Sequence, residues 1–245
     1  MENVKHIVPA WDPVHDTQAV YRMLLEAISR PGTLVHIGPM IAKLPENMKC
    51  SPAAAGLAHA LLDGEVRFAV RLEGQDVLPS YIRRMTFCRE TALDEADYIF
   101  ADGVMPEVDI EALLHAVKRG TLTAPDESAT LFIRVQALCE NESSCADECE
   151  SPPSQVQPEL SGAGIRADEC ESSPPQVQLE LSGPGIRGTQ FCCLSGVSPA
   201  WLKVREAIND EYPMGVDMYF FTESGELMAL PRTTKLSKEG SSWLM

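Results

Sequence analysis

Apolar residues recur along this chain at two spacings, about 3.6 residues and about 2, and the alternation between them predicts most of its elements. Between Thr17 and Ser29, Val20, Leu24, Leu25 and Ile28 share one helical face. Asp16 is placed to cap that helix, and Arg30-Pro31-Gly32 to stop it, because proline removes a donor and glycine accepts the turn. Thr33–Ile37 reads as a strand, Ser51–Leu62 as an Ala-rich helix ended by Asp63-Gly64, and Val66–Leu72 as a strand with Val66, Phe68, Val70 and Leu72 on one face. Further on, the pattern predicts a short strand over Tyr98–Ala101, a helix from Asp109 to about Arg119 and one long apolar strand over Ala129–Leu138. Ser198-Pro199 opens another helix that ends near Asp210. Asp217–Thr222 and Leu227–Leu230 flank Glu223-Ser224-Gly225-Glu226, a hairpin signal. Helices and strands alternate without strict βαβ regularity, so the expected fold class is α/β, a mixed sheet flanked by helices.

The pattern breaks between Cys139 and Arg187. There the chain is rich in Glu, Ser and Pro and repeats itself: Ala146–Arg166 and Ala167–Arg187 differ at four aligned positions. Two copies are too few for a solenoid, which leaves a local duplication. In the second copy Val177, Leu179 and Leu181 alternate with Gln176, Gln178 and Glu180, a half-buried strand. In the first copy Pro158 replaces Leu179, losing both the ladder donor and the apolar contact. The second copy is therefore expected to supply the native strand. The organisation expected is one α/β domain over 1–245, with an acidic Pro/Ser-rich insertion at 140–175 that carries the duplication 146–166, 167–187.

Charge narrows the partners. The 245 residues carry a formal net charge of -16. A nucleic-acid binder needs a basic surface that displaces counterions, and an anionic membrane repels an acidic one, so neither partner is expected. No apolar run reaches the roughly 20 residues of a membrane span, and the first residues show no signal-peptide pattern. The expected location is cytoplasmic, with the eight Cys as reduced thiols.

Motif chemistry is sparse. Gly183-Pro184-Gly185-Ile186-Arg187-Gly188 matches G-x-G-x-x-G, but Thr189–Gly196 does not read as the helix that a dinucleotide site requires, so a Gly-rich turn is the favoured reading. The Cys positions lack C-x-x-C spacing and no metal site is expected. His15 suits a helix-start turn as well as acid–base work. Pro231-Arg232-Thr233-Thr234 follows the last strand, where one guanidinium and two hydroxyls suit a phosphate-like oxyanion. The same groups suit pairing across a subunit interface, which spacing alone favours. No residue is marked as catalytic.

Four segments in order resemble one family. Asp12–Thr33, ending in Ser-Arg-Pro-Gly-Thr, resembles its N-terminal helix. Gly120–Val135, with Pro125-Asp126-Glu127-Ser128-Ala129-Thr130, resembles the lead into one of its strands. Leu181-Ser182-Gly183-Pro184-Gly185-Ile186 resembles its Gly-containing turn, and Tyr212–Leu236 its final hairpin and Pro-Arg-Thr-Thr end. The family is PhnH, a subunit of the carbon–phosphorus lyase core complex. The resemblance implies a fold similar to the large domain of pyridoxal-phosphate-dependent transferases, without the cofactor. It implies a homodimer that joins PhnG, PhnI and PhnJ. The assembly would form α-D-ribose 1-methylphosphonate 5-triphosphate from ATP and methylphosphonate and then break the carbon–phosphorus bond. This chain would be a non-catalytic or accessory subunit, with Arg30, Arg232, Thr233 and Thr234 as candidates for holding a phosphate or phosphonate anion or an interface. The competing readings are a stand-alone transferase with its own small-molecule pocket and an interaction module of another complex.

Overall fold

The computed structural model describes residues 10–45, 47–140 and 175–237. In chain order its elements are α1 (His15–Ser29), β1 (Val35–His36), α2 (Gly38–Ile41), α3 (Pro52–Leu61), β2 (Arg67–Arg71), α4 (Leu78–Thr86), β3 (Arg89–Glu90), β4 (Tyr98–Asp102) and α5 (Glu107–Ala116). They continue as β5 (Thr130–Arg134), β6 (Ala137–Glu140), β7 (Gln176–Ser182), β8 (Gln190–Ser195), α6 (Ala200–Ile208), β9 (Asp217–Phe221), β10 (Glu226–Leu230) and β11 (Lys235–Leu236). A seven-stranded sheet has the order β1-β10-β9-β5-β4-β2-β3, and a four-stranded sheet the order β11-β7-β8-β6. β3, β2, β4, β5 and β9 pair in parallel, while β10 runs antiparallel to both β9 and β1. The mixed sheet flanked by helices is the class that the pattern predicts.

Strands buried on both faces read as continuous apolar runs, and here the two faces differ in kind. Phe68, Phe100, Phe132, Tyr219 and Phe221 point toward α1, α3 and α4. Three of these rings stack across the sheet, Phe100 on Phe132 at 5.2 Å and Phe132 on Tyr219 at 5.0 Å between centroids. Ala69, Ile99, Ala101, Leu131, Ile133, Met218 and Phe220 point the other way, toward α5, α6 and the inner face of the second sheet. There Val177, Leu179 and Leu181 of β7 are buried, as their alternation predicts.

Several sequence expectations change, among them the start of α5, which begins at Glu107 after Pro106 with Asp109 inside its first turn rather than capping it. The apolar run 129–138 is not one strand. β5 stays in the parallel sheet, whereas β6 leaves it to pair antiparallel with β8, because Val135 and Gln136 bond to Phe221 and Ser195 in different sheets. α4 and β3, which the sequence reading does not include although α4 is strongly amphipathic, are added as the crossover after β2. Asp16 does not cap α1. Asp12 does so, its Oδ1 accepting from the Val14 and His15 amides at 2.8 and 3.0 Å.

Asp16 is instead buried, with its carboxylate accepting from the Asp12 amide and from Lys43 Nζ at 2.6 Å. The Asp12 amide first, and the Lys43 ammonium second, hold its carboxyl below the usual carboxylate range. A depressed folded pKa stabilises above the unfolded value, near pH 4, and that contribution is lost as pH falls through the folded pKa. Melting temperatures measured from neutral pH down to about pH 2 should therefore fall less steeply for Asp16→Asn than for the wild-type chain, although the variant starts lower. Parallel curves would contradict this.

The first repeat copy and most of the insertion lie outside the described residues. We propose that β7 from the second copy is sufficient for the sheet and that 146–166 is dispensable. Deleting 146–166 is then expected to leave a soluble chain with the wild-type circular dichroism spectrum. An insoluble product would overturn the proposal.

Candidate functional site

A crevice opens at the carboxyl ends of the parallel strands. From β2 the chain crosses through α4 to β3 on one side, then returns past β2 to β4 on the other. α4 packs on the α3 face of the sheet, and α5 beside α6 on the opposite face. Such a reversal leaves the two strand ends uncovered by a connection, and it is where open α/β sheets take ligands. Here it forms a cleft of about 500 Å³ lined by Glu73 after β2, Asp102 and Gly103 at the end of β4, Arg134 at the end of β5, and Thr222 to Ser224 after β9.

Arg134 organises its polar groups. Its Nε donates to Asp102 Oδ1 at 2.7 Å, Nη2 to the Glu73 carbonyl at 3.1 Å and Nη1 to Glu223 Oε1 at 3.3 Å. Asp102 Oδ2 accepts from the Glu73 amide at 2.6 Å, and Glu223 Oε2 from Ser51 Oγ at 2.6 Å. The Ser51 hydroxyl also accepts from the Ala54 amide as the cap of α3, which places it in structure rather than in nucleophilic chemistry. Arg134 and Asp102 are 21% and 14% exposed, so their pair is partly desolvated. Two carboxylates pair with the one guanidinium, and the Glu73 side chain also lines the cleft, which leaves it net negative. It favours cations and hydrogen-bond donors and repels a free phosphate.

The floor of the cleft is backbone held from behind. Trp201 of α6 is fully buried and donates its indole N–H to the carbonyls of Asp102 and Gly103 at 3.2 and 3.1 Å. Gly103 must be glycine on steric grounds, since an added Cβ would stand 2.4 Å from the Gly196 carbonyl oxygen and 2.7 Å from that of Arg134.

The residues that the sequence singles out lie elsewhere. Arg232, Thr233 and Thr234 follow β10 and sit at the opposite, amino edge, because β10 runs back along β9. The Arg232 guanidinium pairs with Asp217 Oδ2 at 2.7 Å and donates to the Pro125 and Pro213 carbonyls at 3.0 and 3.2 Å and to Ser128 Oγ. Thr234 is buried. Its carbonyl accepts from the buried Arg205 at 3.2 Å, while Thr234 Oγ1 and Arg205 Nε have no hydrogen-bond partner among the described residues. Burial brings the Arg205 pKa down to about 10, which leaves it charged at neutral pH. Arg30, exposed at the end of α1, pairs with Glu26 at 2.7 Å.

The four segments that carry the family resemblance meet one another in space. The Ser29 carbonyl lies 2.4 Å from where a Cβ on Gly185 would stand, and the Thr233 carbonyl 3.1 Å from one on Gly183. Arg232 ties the last segment to Pro125 and Ser128 of the second. The Gly-rich stretch therefore packs as a turn, and β8 rather than a helix follows it. Among the described residues no three His, Cys, Asp or Glu side chains gather to hold a metal ion, and no helix is long and apolar enough to cross a membrane.

The cleft residues left weak signals. Arg134 is the one charge in an apolar run, and Glu223 reads as a hairpin residue. Their meeting depends on the parallel order of β4, β5 and β9.

The fold and the two sheet edges define an α/β protein whose signature residues hold its own segments together. The family model described as bacterial phosphonate metabolism protein (PhnH) matches residues 10–237, and the chain belongs to that family. The protein named "Putative C-P lyase subunit protein HtxG" from Stutzerimonas stutzeri is 26% identical over 230 residues, covering 91% of this chain and 87% of that protein.

Proposed function

We propose that this chain is an accessory, non-catalytic subunit of the carbon–phosphorus lyase complex of organic phosphonate breakdown. The observation that carries the reading is the family match from residue 10 to residue 237. The name of the relative supports it. In this reading the chain works in the cytoplasm, pairs with itself when alone and joins PhnG, PhnI and PhnJ. It supports formation of α-D-ribose 1-methylphosphonate 5-triphosphate from ATP and methylphosphonate without contributing a reacting group. The engagement of Arg232 with Asp217 and two carbonyls favours an interface or scaffold role for the Pro-Arg-Thr-Thr end over an anion site. A fold similar to the large domain of pyridoxal-phosphate-dependent transferases, without the cofactor, belongs to the same proposal. Its support is the largely parallel seven-stranded sheet with helices on both faces.

The test is co-purification. A tagged copy expressed beside the other subunits should elute with them in one stoichiometric complex by native mass spectrometry. Elution as a lone dimer with the partners expressed but absent would sink the reading.

A second reading, a stand-alone transferase, is favoured by the cleft at the carboxyl edge. It requires turnover by the purified chain, abolished by Arg134→Ala.

A further inference from the structure

Phe87 is held where a fold does not place an aromatic for its own sake. α4 ends at Thr86, and Phe87 follows in the left-handed region, with φ 61° and ψ 7°. Helices end on that conformation commonly, but with glycine, because a Cβ there crowds the backbone. The local hydrogen bonds leave no other outcome. Thr86 Oγ1 donates to the Ile82 carbonyl and accepts from the Cys88 amide, and both Thr86 and Cys88 are buried. The side chain between them is turned outward, 79% exposed, beside the exposed Met85. Backbone strain and exposed aromatic area are both carried at one position, and glycine would remove both.

The surroundings of Phe87 have the opposite charge from the rest of the chain. A groove here is lined by Arg83, Phe87, Cys88, Arg89, Glu90 and Thr91. Arg84 and Arg89 are exposed, with no carboxylate in ion-pair reach among the described residues, and Arg83 reaches Glu90 only at 3.8 Å. Arg67, in register with Arg89, pairs with Glu95. In a chain of formal net charge -16, three arginines here, Arg83, Arg84 and Arg89, stand beside one lining carboxylate, Glu90, with Asp63 and Asp97 acting on Cys88 from outside the lining. Among the described residues β3 has β2 on one side and no strand on the other, which makes it an edge strand of the sheet.

We propose that the corner made by the end of α4 and β3 is a docking surface for an acidic face of another protein subunit, with Phe87 as its anchor. Aromatic and Arg side chains dominate the energetics of such contacts, and complementary charge sets their specificity. A two-fold pairing with a second copy is disfavoured at this corner, because it would set Arg84 and Arg89 against their own equivalents. The proposal rests on the subunit reading above and adds where the contact is made.

The test uses Phe87→Gly and the double reversal Arg84→Glu/Arg89→Glu in the full chain, each co-expressed with the other carbon–phosphorus lyase subunits. Phe87→Gly should keep or raise the melting temperature by up to about 3 °C, since it relieves the left-handed strain. It should weaken incorporation into the complex by at least about tenfold. The charge reversal should do the same, and raising the salt should weaken incorporation of the wild-type chain. Variants that assemble as well as wild type would overturn the proposal. So would a fall of more than about 5 °C for Phe87→Gly, which would make the ring part of the fold. Loss of a homodimer in either variant would assign the corner to a second copy instead. A wild-type chain that stays out of the complex is a separate result that sinks the subunit reading, and this proposal with it.

Discussion

Trp201→Ala is expected to lower the melting temperature by roughly 10 °C and to open the floor of the cleft. The side chain is fully buried in the cluster that joins α5, α6 and the second sheet to the parallel sheet. Truncating a buried tryptophan costs about 3–5 kcal/mol, and in a chain of this size each kcal/mol moves the midpoint by roughly 2–4 °C. Packing outweighs the hydrogen bonds in this estimate. The Gly103 carbonyl also accepts from the Ser198 amide at 2.8 Å, so losing the indole donor does not orphan it. Trp201→Phe keeps most of the packing and should cost only about 1 kcal/mol. Equal losses in the two variants would assign the role to the hydrogen bonds instead. Hydrogen exchange at Ser198 should quicken in the alanine variant before the rest of the sheet responds, because its amide bonds to the same Gly103 carbonyl that the indole reaches.

Arg232→Ala is expected to cost about 2–4 kcal/mol, from a partly buried ion pair and two carbonyl acceptors left without a donor. The full penalty of a broken buried pair does not apply, because Asp217 is 23% exposed and still accepts from the Arg232 amide at 2.7 Å. Arg232→Lys should recover little, since one ammonium cannot reach acceptors spread over Asp217, Pro125 and Pro213 as the planar guanidinium does. Arg232→Met with Asp217→Asn should recover part of the loss by removing the stranded carboxylate. The same measurement separates an anion-holding role of the Pro-Arg-Thr-Thr end from a tie between segments of the chain. If Arg232 serves an anion, its removal should leave the melting temperature in plain buffer nearly unchanged and abolish stabilisation by added phosphate. If it is a tie between segments, the fall appears in plain buffer and phosphate makes no difference.

Both substitutions probe contacts that join distant parts of the chain, and such contacts are where reading the sequence stops. Apolar periodicity located α1, α3, α5, α6, β2, β4, β7 and the β9–β10 hairpin. Each has a local pattern strong enough to survive its surroundings: Ser51 caps α3, and Gly225 at φ 90° turns the hairpin. The Pro158 and Leu179 difference identified the copy that forms β7, because a central strand needs both the amide and the apolar side chain. Four ordered motifs pointed to the family.

Local pattern carries no information about which strand lies beside which. The run 129–138 has one unbroken apolar character, and only pairing with β4 and β9 on one part and β8 on the other divides it into β5 and β6. The end of α1 offered Asp16 as a cap, but Lys43, distant in sequence, draws its carboxylate inward and leaves Asp12 to do the capping. Arg134, Asp102 and Glu223 come from three separate strand ends. Arg232, singled out by sequence as an anion-holding or interface residue, finds its carboxylate and carbonyl partners in segments 15 to 107 residues away. The sequence by itself determined the strongly patterned elements and the α/β class, because these follow from apolar spacing, and its four ordered motifs carried the resemblance to the family. The cleft, its charge and the engagement of the signature arginine were decided by the tertiary structure, because parallel pairing sets strand ends side by side that are far apart along the chain.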